Sequence, residues 1–175
     1  MNELIKLVKD SIKSEFNKKR IEIPANKILK EKRGVFVTLT KHGELRGCIG
    51  FPYPTLPLGE AIQQAAKSAA FSDPRFPPLN QKELPEIKIE ISILSLPEKI
   101  QAKPENIIIG KDGLMCEYSG FGGLLLPQVA VEHKMDSEHF LRALCEKAGL
   151  HLNTWQEQGF RLWKFHAEII KEGEK

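Results

Sequence analysis

The chain is 175 residues long, 41% hydrophobic and 28% charged, with a formal net charge of +3. That balance fits one core or two small lobes sharing one, and excludes disorder. No apolar run reaches the ~18 residues of a membrane span, and so small a net charge singles out no class of partner.

Leu4, Val8, Ile12 and Phe16 recur every four residues, with Ile5 and Leu7 beside them, and predict an amphipathic helix capped by Asn2 and ended by RIEIP. The basic excess lies here: residues 1–34 hold ten Lys and Arg against five Asp and Glu, clustered in NKKRIEIPANKILKEKRG. A solvated helix end accounts for it. A nucleic-acid patch is the sharper alternative, although it lacks interleaved aromatics beyond Phe16.

GVFVTLTK (34–41) reads as a strand, KHGE as its turn and GELRGCIGF as the returning strand, so 34–50 is a predicted hairpin. Pro57 opens a helix whose Ala61, Ala65, Ala66, Ala69 and Ala70 form a face for close packing. The prolines of FSDPRFPPL end it, and Asn80 with Glu83 forms a capping box for one short turn. In EIKIEISILS, Ile87, Ile89, Ile91 and Ile93 share the core face of a strand; Lys88, Glu90 and Ser92 are expected on a wet face. GKDGLMCEYSGFGGLLLP predicts a second hairpin, and Pro127 starts a short helix through PQVAVEH. A longer helix runs from Asp136 or Ser137 to Ala148, with Gly149 as its stop. FRLWKFHAEII closes the chain as one strand, with Trp163, Phe165, Ala167 and Ile169 on one face. Helices interleaved with hairpin-linked strands, without βαβ spacing, give an α+β fold.

The chemistry-bearing residues concentrate in LRGCIG (45–50). Simple alternation puts Leu45, Gly47 and Ile49 on the core face and Arg46, Cys48 and Gly50 on the other. A guanidinium beside Cys48 would favour its thiolate, the form that acts as nucleophile, while Gly47 and Gly50 leave backbone open to a ligand or another chain. The alternative is a small buried cysteine in a packing seam, with Arg46 salt-bridged to a neighbouring segment. Asp73 and Arg75 sit on a proline-stiffened loop and face a ligand, or else Asp73 caps the helix-exit turn and Arg75 pairs with a carboxylate. Gln128 presents an amide at a helix start, to a ligand or to its own turn. Three cysteines without a C-x-x-C argue against a disulfide framework or zinc site and fit a reducing, cytoplasmic setting. The five histidines show no metal-binding spacing, and no P-loop or G-x-S-x-G is present, so neither metal nor cofactor is expected.

LRGCIG resembles the signature hexapeptide of the AMMECR domain family, named for the Alport syndrome, midface hypoplasia and elliptocytosis chromosomal region. GVFVTL, DPRFPPL, IEISILSLPE, GLLLPQVA, FLRALCEKAGL and the closing W…F…AEI resemble further family blocks in the same order, which covers nearly the whole chain. The resemblance implies one AMMECR domain over 1–175 with two unequal subdomains, the larger holding both termini. It also implies antiparallel sheets flanked by helices and a cleft onto which the signature strand faces. Family members are encoded beside, or fused with, Memo-type and radical SAM proteins, which implies a shared pathway. Three functions follow as expectations: a binding or adaptor protein taking a protein segment or large ligand in that cleft, with Arg46, Asp73 and Arg75 as anchors; an enzyme with Cys48 as nucleophile or covalent carrier, activated by Arg46; and an RNA-associated protein.

Overall fold

The computed structural model describes residues 2–173; Met1, Glu174 and Lys175, which the expected 1–175 domain includes, lie outside the described residues. Five α-helices are present among the described residues: α1 (Glu3–Asn17), α2 (Lys27–Lys30), α3 (Leu58–Phe71), α4 (Pro127–Glu132) and α5 (Ser137–Lys147). The strands are β1 (Val35–Lys41), β2 (Glu44–Phe51), β3 (Ile87–Leu94), β4 (Glu98–Ile100), β5 (Gly113–Tyr118), β6 (Phe121–Leu125), β7 (Arg161–Phe165) and β8 (Ala167–Lys171). They form two four-stranded antiparallel sheets of order β2-β1-β3-β8 and β4-β7-β5-β6. The α+β expectation holds. No helix among the described residues is long and apolar enough to cross a membrane.

The chain divides into two units, residues 2–94 with 168–173, and residues 95–167. In the first, Val35, Val37 and Leu39 of β1 and the isoleucines of β3 are buried beneath α1 and α3. Asn2 caps α1 by accepting from the Leu4 N–H at 2.9 Å. Every alanine of the α3 stripe is buried, so that helix lies close to the sheet. His42 and Gly43, at φ +54° and +86°, make the tight turn between β1 and β2, whose twist suits a two-residue hairpin. The predicted capping box also forms: Asn80 accepts from the Lys82 N–H and Glu83 from the Asn80 N–H. In the second unit, α5 packs Phe140, Leu141, Leu144 and Cys145 against Leu114, Cys116 and Leu162. Asp136 caps α5, and Gly149, at φ +73°, ends it while Leu150 N–H bonds back to Cys145.

Three expectations require correction. FRLWKFHAEII is two strands, because pairing breaks at His166 and β7 and β8 belong to different sheets. Continuous alternation cannot reveal such a break, since each half keeps a period of two. Ser92 is buried at 2% exposure, so the face it shares with Lys88 and Glu90 is wet only in part. Leu45 is 43% exposed and no core residue. Its displacement comes from a β-bulge: Thr40 pairs with Leu45 but Leu39 with Gly47, leaving Arg46 without an opposite residue.

Candidate functional site around Cys48

The bulge separates the two residues that simple alternation puts together. Cys48 lies opposite Thr38, and its Sγ is 3.2 Å from the Thr38 hydroxyl. Arg46 instead reaches the 3₁₀ turn before β3, where its Nε and Nη2 donate to the two carboxylate oxygens of Glu83 at 3.2 and 3.1 Å. Lys41, on the Val37 and Leu39 side of β1 by alternation, is 3.4 Å from the same carboxylate. The Arg46 guanidinium, helped by the Asn80 N–H, holds the Glu83 carboxyl down at about 2. Arg46 is therefore engaged in a fork-to-fork ion pair, with its side chain only 12% exposed.

The glycines of the motif answer to packing. A Cβ on Gly47 would stand 2.1 Å from the Ala69 carbonyl oxygen of α3, and one on Gly50 would meet Val35 O at 2.3 Å and the Phe36 ring at 2.4 Å. Gly47 lets the alanine face of α3 settle on β2; Gly50 makes room for an aromatic ring.

Asp73 and Arg75 form a clip on the free edge of β2. The Cys48 N–H donates to Asp73 Oδ2 at 2.9 Å, and the Cys48 carbonyl accepts from Arg75 Nη2 at 3.2 Å. Arg75 also donates to Asp73 through Nε (3.0 Å), Nη2 (2.7 Å) and its own backbone N–H (3.1 Å). One edge residue thus finds both its backbone partners in a carboxylate and a guanidinium, as it would in a neighbouring strand. Asp73 has a side chain only 1% exposed, and Arg75 first, then the Cys48 N–H, holds its carboxyl well below the ordinary range. Arg75 keeps 53% of its side chain exposed, over the Phe76 ring at 5.5 Å from its centroid. Its Nη1 has no partner among the described residues.

Gln128 belongs to the second unit, in the first turn of α4, where its Oε1 is buried without a hydrogen-bond partner among the described residues. Cys116 and Cys145 are buried in that unit's core, and burial pushes the Cys116 thiol up to about 11 and raises that of Cys145. Among the described residues, no three His, Cys, Asp or Glu side chains gather as a metal would require. The basic segment contributes Lys19 and Arg20 to an open basin of about 860 Å³, but Glu22 and Glu60 line it too, so its charge is mixed.

Three contributors to the site escape sequence reasoning. Glu83 is visible there only as a capping residue. Thr38 is hidden because a regular hairpin from the Lys41–Glu44 pair would put Gly47, not Cys48, opposite it. Phe76 gives no signal of its own beside the prolines.

The AMMECR1 family model matches residues 5–170. The chain is 45% identical over 162 residues to protein TV1384 of Thermoplasma volcanium, covering 89% of this chain and 81% of that protein. It is 48% identical over 154 residues to protein MJ0810 of Methanocaldococcus jannaschii, covering 84% of this chain and 77% of that one. The crystal structure of the uncharacterized protein PH0010 from Pyrococcus horikoshii superposes with a TM-score of 0.88 at 42% identity, covering 97% of this chain and 90% of that one. With a family model spanning nearly all of its length, an LRGCIG strand and the same fold as that solved structure, the chain belongs to the AMMECR1 family.

Proposed function

We propose that the protein is a binding or adaptor protein that takes a protein segment or large ligand on the surface formed by Cys48, Arg75 and Phe76. The observation that carries this reading is the clip: Asp73 fixes a half-exposed guanidinium on an aromatic ring, with Nη1 unengaged. A donor already held in place loses little conformational freedom on binding, and an Arg over a ring offers both hydrogen bonds and apolar area. Its chemistry suits a carboxylate or backbone carbonyl of a partner chain. Arg46 supports the same reading, because it is paired to Glu83; the guanidinium that does lie beside Cys48 is that of Arg75, whose charge is already met by Asp73, and the Sγ hydrogen bond is to a threonine hydroxyl rather than a histidine base.

Immobilised protein should recover partners from native extract, with Memo-type and radical SAM proteins the first to look for. Phe76→Ala and Cys48→Ala should each lose partners that the wild type keeps, with thermal melts showing both variants folded. If both variants hold every wild-type partner, this surface is not the binding site.

A further inference from the structure

The two sheets have four edge strands, and β6 differs from the other three. β2 carries the Arg46 bulge and the Asp73–Arg75 clip; β4 is three residues long, two of them Glu98 and Lys99; β8 carries Glu168 and Lys171. Short length, charge and bulges are the usual defences of an edge against another strand. β6, Phe121-Gly122-Gly123-Leu124-Leu125, has no charge and pairs with β5 in unbroken register. Phe121 is 55% exposed on it.

The free backbone groups follow from the turn. Ser119 and Gly120, at φ +48° and +84°, form a two-residue hairpin loop, so the flanking Tyr118–Phe121 pair is hydrogen-bonded within the sheet. Parity then turns the N–H and C=O of Phe121, Gly123 and Leu125 inward, and those of Gly122 and Leu124 outward. No hydrogen bond from a described residue meets the outward four.

We infer that β6 is a self-association edge, on which a second copy of this chain adds its own β6 antiparallel about a twofold axis through Gly123. Gly122 then pairs with the partner's Leu124 and Leu124 with the partner's Gly122, which satisfies all four outward groups of each strand with four hydrogen bonds. Gly123 faces its own copy at the close, non-bonded position, where two side chains would crowd. The Cβ position of Gly123 points to Ala148, so Phe121, Gly123 and Leu125 share the α5 face. Phe121 therefore meets the partner's Leu125, and its exposed ring is covered. An uncharged strand meets its copy without repulsion, which the Glu and Lys of β4 and β8 do not guarantee in every register.

Sedimentation velocity on the full chain tests this, with Gly122→Pro, which removes an outward donor and no ladder bond, and Phe121→Lys, which alters an exposed side chain. The wild type should show a concentration-dependent dimer, and each variant should associate at least about tenfold more weakly. Amide exchange at Gly122 and Leu124 should slow as wild-type concentration rises. A wild type that stays monomeric to about 1 mM, where association is weak by any standard, overturns the inference. So do variants that associate like the wild type, or a dimer that leaves both amides unprotected. Should Gly122→Pro fail to fold, Phe121→Lys alone decides.

Discussion

At residue 47 the absence of a side chain is what joins a helix to a sheet. The Ala69 carbonyl oxygen stands 2.1 Å from where a Cβ would be, and it belongs to backbone that cannot rotate away. Gly47→Ala should cost about 1–3 kcal/mol through overpacking, and Gly47→Val more. Cys48→Ser, on a partly buried face with a hydroxyl still able to meet Thr38, should melt close to wild type; a Cys48→Ser melt lower than that of Gly47→Ala would contradict this packing. Two residues earlier, the Arg46–Glu83 pair makes a prediction about acid. Glu83 titrates at about 2 when folded against an ordinary 4.5, so its folded form binds protons less readily than the unfolded chain. A depressed carboxylate contributes stability that is fully present above 4.5 and lost as the pH falls through about 2. Melting temperatures of Glu83→Gln should therefore fall less steeply than wild type between those two pH values; identical slopes would show that the pair contributes nothing.

For the strand β2, the clip supplies what a missing neighbour would. Asp73→Ala leaves the Cys48 N–H without an acceptor and Arg75 without its anchor, a loss of about 1–3 kcal/mol for a buried, charge-assisted contact. The more specific expectation is local: the Cys48 amide should exchange faster in Asp73→Ala than in wild type, by more than the global change in stability explains. Equal protection would mean that Asp73 merely packs. None of this is legible in the sequence, although most of the surrounding elements are. α1, β3, the hairpin turn at His42-Gly43 and the Asn80 capping box each follow from spacing or turn chemistry within a few residues. The bulge at Arg46 and the clip at Asp73 do not, because both depend on which strand ends at the sheet edge and which loop returns to it. The break at His166 escapes for a related reason: a strand that changes sheets keeps its period while its partners change. Arg46, Cys48, Asp73 and Arg75 are recognisable as a group worth attention, but their pairing, Arg46 with Glu83 and Asp73 with Arg75 and Cys48, is tertiary information.

For the whole molecule, the chain leaves the first unit after Leu94 and re-enters it at Glu168. The two ends of the intervening segment are tied to each other: Ser95 N–H donates to the His166 carbonyl at 2.9 Å, and His166 N–H to the Ser95 hydroxyl oxygen at 2.9 Å. Glu172 N–H bonds to Ile89 O further along, so β3 and β8 run antiparallel and residues 95–167 occupy the position of a hairpin loop between them. A segment with joined ends and its own core of Leu114, Phe140, Leu141, Leu144 and Leu162 meets the conditions for an inserted domain, and it exceeds the about 55–65 residues at which many domains already fold alone. Residues 95–167 expressed by themselves should fold cooperatively, with Cys116 and Cys145 reacting with a thiol reagent far more slowly than in denaturant. The complementary deletion, joining Leu94 to Glu168 through a two-residue turn, should keep the β2-β1-β3-β8 sheet and melt cooperatively. A fragment 95–167 whose two thiols react at the denatured rate would show that its core depends on the rest of the molecule, and that the Ser95–His166 clasp closes a loop rather than a domain.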